Sequence, residues 1–132
     1  MPISHTHKVV FVHIPKTGGT SIEKFFNIHG VSNTGDNWEV LNIDIMFGDG
    51  AQHLPYKKIL EKSNKDLSTY FSFSFVRNPW SREVSEYFWR KPWCPNLRHL
   101  NFKDYLLSYN NDKEVAISHF FPQNTFVLDK DG

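Results

Sequence analysis

Near its N-terminus the chain reads Val9-Val10-Phe11-Val12-His13-Ile14-Pro15-Lys16-Thr17-Gly18-Gly19-Thr20-Ser21. The β-branched and aromatic run from Lys8 to Ile14 predicts a buried strand, because such residues suit an enclosed pleated surface. The segment from Pro15 to Gly19 is typical of a tight turn that ends this strand. Apolar residues then recur at helical spacing from Thr20 onward. The stretch therefore predicts a strand, a turn and a helix in direct succession.

A second stretch repeats this order further along the chain. It reads Phe73-Ser74-Phe75-Val76-Arg77-Asn78-Pro79-Trp80-Ser81-Arg82-Glu83-Val84-Ser85. Phenylalanine alternates with serine between Tyr70 and Arg77, which predicts a strand. Asn78 and Pro79 are typical of a helix start, because asparagine caps the first turn and proline fits its first position. The helix is predicted to reach about residue 90, with an apolar stripe that consists of Trp80, Val84, Tyr87 and Phe88.

The remaining sequence predicts further helices and strands. Helices are expected over residues 55–65 and 101–109, and strands over residues 40–45 and 125–129. Strands that alternate with helices favour the α/β class. We expect a P-loop-like three-layer domain with a mainly parallel central sheet flanked by helices, formed as one domain by residues 1–132. Because Asp129 to Gly132 form a turn signal after a predicted strand, we expect this domain to continue beyond residue 132.

Charge and composition exclude several classes of protein. With 15 Lys and Arg against 14 Asp and Glu, no bulk positive charge favours binding to nucleic acid or to an anionic membrane. No apolar run approaches the roughly 20 residues that span a bilayer, and the N-terminus lacks a leader pattern. Cys94 is the single cysteine, so an intrachain disulfide is impossible. We expect a cytoplasmic protein, or a membrane-associated or Golgi-type one if a targeting segment has been removed.

The first turn has the chemistry of an anion-binding site. Gly18 and Gly19 let a ligand approach the backbone closely, because no Cβ is in the way. The N–H groups at the start of the following helix point into the turn, and Lys16 adds a full positive charge. Hydroxyl groups come from Thr17, Thr20 and Ser21. The order of residues differs from the loop that binds nucleoside triphosphates, in which the lysine follows the glycines.

The second turn supplies further ligands for an anion. Arg77 lies at the carboxyl end of a predicted strand, where ligands bind in open α/β sheets, and its guanidinium suits bidentate phosphate recognition. Ser85 and Arg82 share a face of the next helix, so both are candidates for the same phosphate. The alternative is that Arg77 pairs with a nearby acid such as Glu83 and that Ser85 is merely solvated. Two such turns together predict a ligand with phosphate groups at both ends.

Both turns carry residue patterns of a known family. Pro15-Lys16-Thr17-Gly18-Gly19-Thr20-Ser21 resembles the 5′-phosphosulfate loop of sulfotransferases. Phe75-Val76-Arg77-Asn78-Pro79-Trp80, with Ser85 eight residues after the arginine, resembles their 3′-phosphate motif. The chain is most similar to the carbohydrate branch, such as the heparan sulfate 2-O-sulfotransferases. The resemblance implies 3′-phosphoadenosine 5′-phosphosulfate (PAPS) as donor, its desulfonated form PAP as product, a carbohydrate or other hydroxyl-bearing acceptor, and no metal.

The resemblance also implies roles for individual residues. The first turn, from Pro15 to Ser21, would hold the 5′-phosphate, while Lys16 would stabilise charge on the leaving phosphate. Arg77 and Ser85 would hold the 3′-phosphate. His53 matches the histidine that acts as catalytic base in relatives, and an imidazole with an ordinary pKa of about 6.5 suits proton abstraction near neutral pH.

Another segment with a weaker match is His119-Phe120-Phe121-Pro122-Gln123. It resembles a segment that lies near the acceptor site in relatives, or it is a hydrophobic lead into the last predicted strand. Relatives also continue past that strand with a segment that closes over the nucleotide. Trp89 and Trp93 could stack on sugar rings, but they could equally belong to the core.

Two other functions fit parts of the pattern. A P-loop kinase or nucleoside triphosphatase would explain the first turn, but Lys16 precedes the glycines, and Asp129 is the one late candidate for holding magnesium. A non-catalytic PAP-binding protein or an inactive fragment would keep both turns without transfer. The sequence leaves open the acceptor, the choice between O- and N-sulfation, and the oligomeric state.

Overall fold

The computed structural model describes residues 3–28, 50–108 and 117–128. The predicted strand over residues 40–45 lies outside these ranges. In the described chain the sheet has the strands β1 (Ile3–Ser4), β2 (Val9–Val12) and β3 (Phe71–Ser74), in the order β1-β2-β3. β2 and β3 are parallel, whereas β1 and β2 are antiparallel. The fold is therefore mixed α/β, and the mainly parallel sheet that we expected is not seen in this part of the chain.

Two of these strands were predicted and one was not. β2 and β3 lie inside the predicted ranges 8–14 and 70–77, and each has four residues. β1 has two residues, which is too short for an alternating pattern to be read from sequence. It folds back on β2 through a turn in which Lys8 has a positive φ of 51° and donates its N–H to the carbonyl of His5.

The described helices match the predicted ones closely. They are α1 (Gly19–Phe25), α2 (Tyr56–Lys62), α3 (Pro79–Arg90) and α4 (Phe102–Ser108). Asn78 caps α3 as expected, because its side-chain oxygen accepts the N–H of Ser81 at 3.2 Å. α2 is shorter than its predicted range, and Pro55 is its N-cap rather than its first residue. Short 3-10 helices lie at Gly50–His53, Pro95–Leu97, Ile117–Phe120 and Gln123–Phe126.

The two faces of the sheet pack against different helices. Val10 and Val12 belong to a buried cluster that also contains Ile59 of α2. Phe11 points to the opposite face, since side chains alternate along a strand. There its ring lies 5.2 Å from the ring of Phe73, which in turn lies 6.1 Å from Phe26 at the end of α1. α2 and α1 thus cover opposite faces, and the turn after β2 lies between them.

The prediction of a strand over residues 125–129 is wrong for the residues that the structure describes. Gln123–Phe126 form a 3-10 helix instead. The N–H groups of Val127 and Leu128 both bond to the carbonyl of Asn124, at 3.1 and 2.9 Å. These local hydrogen bonds occupy backbone N–H groups that a β-sheet would need. The fully buried Phe126 in addition anchors the segment in the core. Burial of one aromatic ring outweighs the strand preference of its neighbours.

α3 has its polar side facing inward. Of the predicted apolar stripe, Tyr87 is buried, but Trp80 is 78% exposed and Phe88 is 66% exposed. The other buried residues of α3 are the charged Arg82, Glu86 and Arg90. Helical periodicity separates a polar face from an apolar face, but it does not tell which of them packs against the rest of the protein. In α3 the buried face carries the charged side chains.

Candidate functional site

The turn after β2 needs an unusual backbone. Gly18 has a φ of 87° and Lys16 has a φ of 66°, both in the left-handed region that side chains disfavour. Position 19 requires glycine for a different reason, because a Cβ there would overlap the imidazole ring of His13. A lysine held in this conformation is typical of a functional turn, where the fold imposes a strained backbone.

Lys16 is the half-buried cation of this turn. Burial lowers the pKa of its ammonium from the ordinary value of 10.5; the charge of Glu86 opposes this effect, and the charge of Arg77 adds to it. The Nζ atom lies 4.8 Å from the centroid of the Trp89 ring, in the geometry of a cation–π contact. The side chain is therefore directed toward α3, where both Glu86 and Trp89 are located.

His53 lies at the end of the 3-10 helix that precedes α2, and it is buried. Its Nδ1 lies 2.9 Å from the backbone carbonyl of His13. Because a carbonyl only accepts, Nδ1 must carry the proton, and in the neutral ring Nε2 then carries the lone pair. This is the tautomer that accepts a proton at Nε2.

Two further histidines stand beside His53. The ring of His13 lies 4.4 Å from it and the ring of His119 lies 5.3 Å from it, both edge-on. Nδ1 of His13 lies 2.8 Å from a carboxylate oxygen of Glu23, and Nδ1 of His119 lies 2.8 Å from one of Glu86. All of these side chains are buried. A carboxylate at Nδ1 fixes the orientation of each ring.

These groups share one cavity of about 490 Å³. Its lining consists of His13, Lys16, Gly18, Gly19, Thr20, Gln52, His53, Arg77, Ser85, Trp89 and His119. It thus brings together residues of both predicted turns and the predicted base. The remaining predicted residues, Pro15, Thr17 and Ser21, are not in its lining. The hydroxyl of Thr17 donates to the carbonyl of Ile14 at 2.8 Å, so it supports the turn.

A sequence model described as the sulfotransferase family matches residues 1–130. The chain belongs to the sulfotransferase family. No curated protein and no solved structure gives a significant match to it. Family membership identifies the chain as a member of a transferase family associated with sulfuryl transfer. Residues of both predicted turns line the same cavity in this sulfotransferase.

The cavity lining also contains residues that the sequence did not assign to the donor site or to catalysis, although Trp89 and the segment of His119 were considered for the acceptor. His13, Gln52, Trp89 and His119 all contribute to its lining. His13 directly precedes the turn, and Trp89 lies four residues after Ser85, which is one helical turn further along α3. That spacing is the signal that could have found Trp89. His119 lies in the segment that resembles one near the acceptor site in relatives, but its packing against His53 does not follow from spacing along the chain.

Arg82 does not have the role that its position on the helix suggested. Its buried guanidinium donates to three backbone carbonyls, those of Pro15, His119 and Phe121, at 3.0, 2.7 and 3.0 Å. The prediction that it faces a phosphate together with Ser85 is therefore wrong. Arg82 instead joins the first turn to the segment that carries His119.

Two further observations concern metals and membranes. Within residues 3–28, 50–108 and 117–128, no group of three or more His, Cys, Asp and Glu side chains has the geometry to hold a metal ion. In the same described part of this sulfotransferase, no helix has the length and apolar character to cross a bilayer.

Proposed function

We propose that the chain is a PAPS-dependent sulfotransferase that transfers a sulfuryl group to a hydroxyl of a carbohydrate or a similar acceptor. The observation that carries this proposal is that Lys16 and Arg77, from two separate turns, line one cavity together with His53. Family membership supplies the class of reaction. The cavity supplies two cations for an anionic donor, and of its three imidazoles we assign that of His53 to the proton.

The donor fits the residues that are present. A cavity of about 490 Å³ is in the range that holds a ligand of nucleotide size. Gly18 leaves the backbone open to a phosphate, since a Cβ there would meet nothing within 4 Å, Gly19 makes room for the ring of His13, and Thr20 adds a hydroxyl at the 5′ end. Arg77 and Ser85 would hold the 3′-phosphate. α1 has only seven residues, so the side-chain charges of Lys16 and Arg77 provide most of the attraction.

His53 is assigned as the general base. PAPS supplies an activated sulfuryl group, and the acceptor oxygen forms the new bond to sulfur while the bond from sulfur to the bridging oxygen breaks. Nε2 of His53 takes the acceptor's proton, because its Nδ1 already donates to the carbonyl of His13. Lys16 would stabilise the negative charge that develops on the bridging oxygen of PAP.

The proposal extends to the fold and to the acceptor. Residues 1–132 would belong to one P-loop-like three-layer domain, which the parallel pairing of β2 with β3 and the placement of α1 and α2 support. A carbohydrate acceptor, as in the heparan sulfate 2-O branch, is proposed from the resemblance of the two turns; the indole of Trp89 lines the cavity, where it contacts Lys16 and His119. Trp93 is 74% exposed and does not line that cavity.

A transfer assay tests this function. Wild-type protein is incubated with PAPS carrying a labelled sulfuryl group and with a set of oligosaccharides, and labelled product is measured. We expect transfer to at least one hydroxyl-bearing acceptor, and a loss of about 10²–10⁴-fold in kcat for His53→Ala. The control is His99→Ala, which changes an exposed histidine outside the cavity.

Other outcomes of the assay would favour the alternatives. PAP binding without transfer to any sugar would support a non-catalytic PAP-binding protein. Tighter binding of ATP with magnesium than of PAP would support a P-loop kinase or nucleoside triphosphatase. Unchanged transfer in His53→Ala would remove His53 from the reaction.

A further inference from the structure

The segment from His119 to Phe126 contacts the second turn directly at Arg77 and is joined to the first turn through Arg82, which also donates to the carbonyl of Pro15. Arg82 holds its first part through the carbonyls of His119 and Phe121. Its last part is a 3-10 helix that ends at the fully buried Phe126. Between these two anchors lies Gln123, whose backbone is therefore fixed on both sides.

The side-chain amide of Gln123 pairs with the backbone of Arg77. Its Oε1 accepts the N–H of Arg77 at 2.9 Å, and its Nε2 donates to the carbonyl of Arg77 at 2.8 Å. β3 ends at Ser74, so the ladder with β2 no longer bonds the chain at Arg77. One planar amide thus satisfies both backbone groups of this residue, as a neighbouring strand would.

Backbone orientation matters for Arg77 because its side chain is long and exposed. Its Nη1 reaches the carbonyl of Lys16 at 3.2 Å. A guanidinium on a mobile backbone would lose more conformational entropy on binding a phosphate than one whose Cα is already fixed. Gln123 is not among the residues that line the cavity, and its amide is paired with the backbone of Arg77.

We propose that Gln123 is a positioning residue that fixes the backbone of Arg77 for recognition of the 3′-phosphate. This inference rests on the proposed function, in which Arg77 binds that phosphate. Glutamine suits the position because it offers one donor and one acceptor in a single plane. Methionine is of similar length but offers neither, and glutamate would place a second acceptor opposite the carbonyl of Arg77.

The first test needs no ligand. Amide hydrogen exchange at Arg77 is compared between wild type, Gln123→Met and the control Asn124→Ala, which changes an exposed neighbour. We expect roughly tenfold faster exchange at Arg77 in Gln123→Met, from the loss of one hydrogen bond to its N–H, and no change in the control. Equal exchange in all three proteins would overturn the pairing.

The second test measures selectivity for the 3′-phosphate. PAP and 5′-AMP differ by that group, so the ratio of their Kd values reports on it alone. Gln123→Met is expected to weaken PAP binding about tenfold and to leave 5′-AMP binding unchanged. In an Arg77→Ala background, Gln123→Met should have no further effect, because the residue acts through the arginine.

The outcomes separate this inference from the proposed function. If the wild type prefers PAP and Gln123→Met keeps that preference, the positioning role is wrong while the proposed function stands. An equal loss of PAP and 5′-AMP binding would indicate a general structural role and would also overturn the inference. If the wild type itself shows no preference for PAP, the proposed 3′-phosphate site at Arg77 fails.

Discussion

Nη1 of Arg77 donates a hydrogen bond of 3.2 Å to the backbone carbonyl of Lys16. This bond joins the two turns that carry the cations of the cavity, although they are distant in sequence. The two positive charges also interact, since Arg77 contributes to the lowered pKa of Lys16. A ligand with negative charge near both groups relieves this repulsion, and a donor with phosphates at both ends meets that requirement.

Removal of the lysine charge is expected to abolish transfer. Lys16→Ala should lower kcat by at least about 10²–10³-fold, because a fixed cation at the developing charge contributes about 3–4 kcal/mol. Lys16→Arg is the matched control that keeps the charge, and it should retain more activity than the alanine variant. Comparable kcat values in Lys16→Ala and wild type would contradict the assignment.

Removal of the arginine is expected to act on binding. Arg77→Ala should weaken PAP about 10–100-fold, since hydrogen bonds to charged groups contribute about 1.5–3 kcal/mol. Calorimetry with PAP and with 5′-AMP gives the measurement and its control, because 5′-AMP lacks the 3′-phosphate. A similar loss for both nucleotides would place Arg77 at a different part of the ligand.

The affinity for PAP should fall at high pH, and we expect this basic limb of the pH profile to report the loss of the proton of Lys16. The charged form binds the anion, so affinity falls as pH rises through the pKa of this group. Burial lowers that pKa below 10.5, hence the fall in the free protein starts at a lower pH than for an exposed lysine. In Lys16→Arg the limb should disappear, because guanidinium stays charged. Its persistence there would assign the limb to another residue.

The two glycines of the first turn should respond differently to alanine. Gly19→Ala would force a Cβ onto the ring of His13 and should cost about 1–3 kcal/mol of unfolding free energy. A Cβ at Gly18 meets nothing within 4 Å. Gly18→Ala should therefore lower the unfolding free energy by only about 1 kcal/mol, the cost of holding an alanine in the left-handed backbone conformation. Thermal unfolding of both variants measures the difference, and a larger loss at Gly18 would contradict the packing described for His13.

Local patterns made much of the cavity predictable. Lys16, Gly18 and Gly19 follow a strand directly, and Arg77 precedes a helix start that Asn78 marks, so these positions follow from chain order alone. The contact between His119 and His53 does not follow from chain order, because tertiary packing brings them together; the only sequence signal was the resemblance of the His119 segment to one near the acceptor site. The carboxylates that orient the histidines, including Glu86, are likewise identified by contact and not by spacing.

Two wrong predictions have a common physical cause. In the described residues 125–128, a local turn replaces the predicted strand because Phe126 is buried in the core. The phosphate role expected for Arg82 failed because its helix buries its charged face. In both cases a sequence pattern gives a local preference, and burial against the rest of the protein decides which preference is realised.

The central claim is that the two turns form one site for PAPS, and calorimetric titration of the wild-type chain tests it most directly. PAP is compared with 5′-AMP and with ATP plus magnesium under identical salt. The account predicts that PAP binds most tightly, with one molecule per chain, and that both Lys16→Ala and Arg77→Ala weaken it. Tighter binding of ATP with magnesium, or no binding of PAP, would contradict the account.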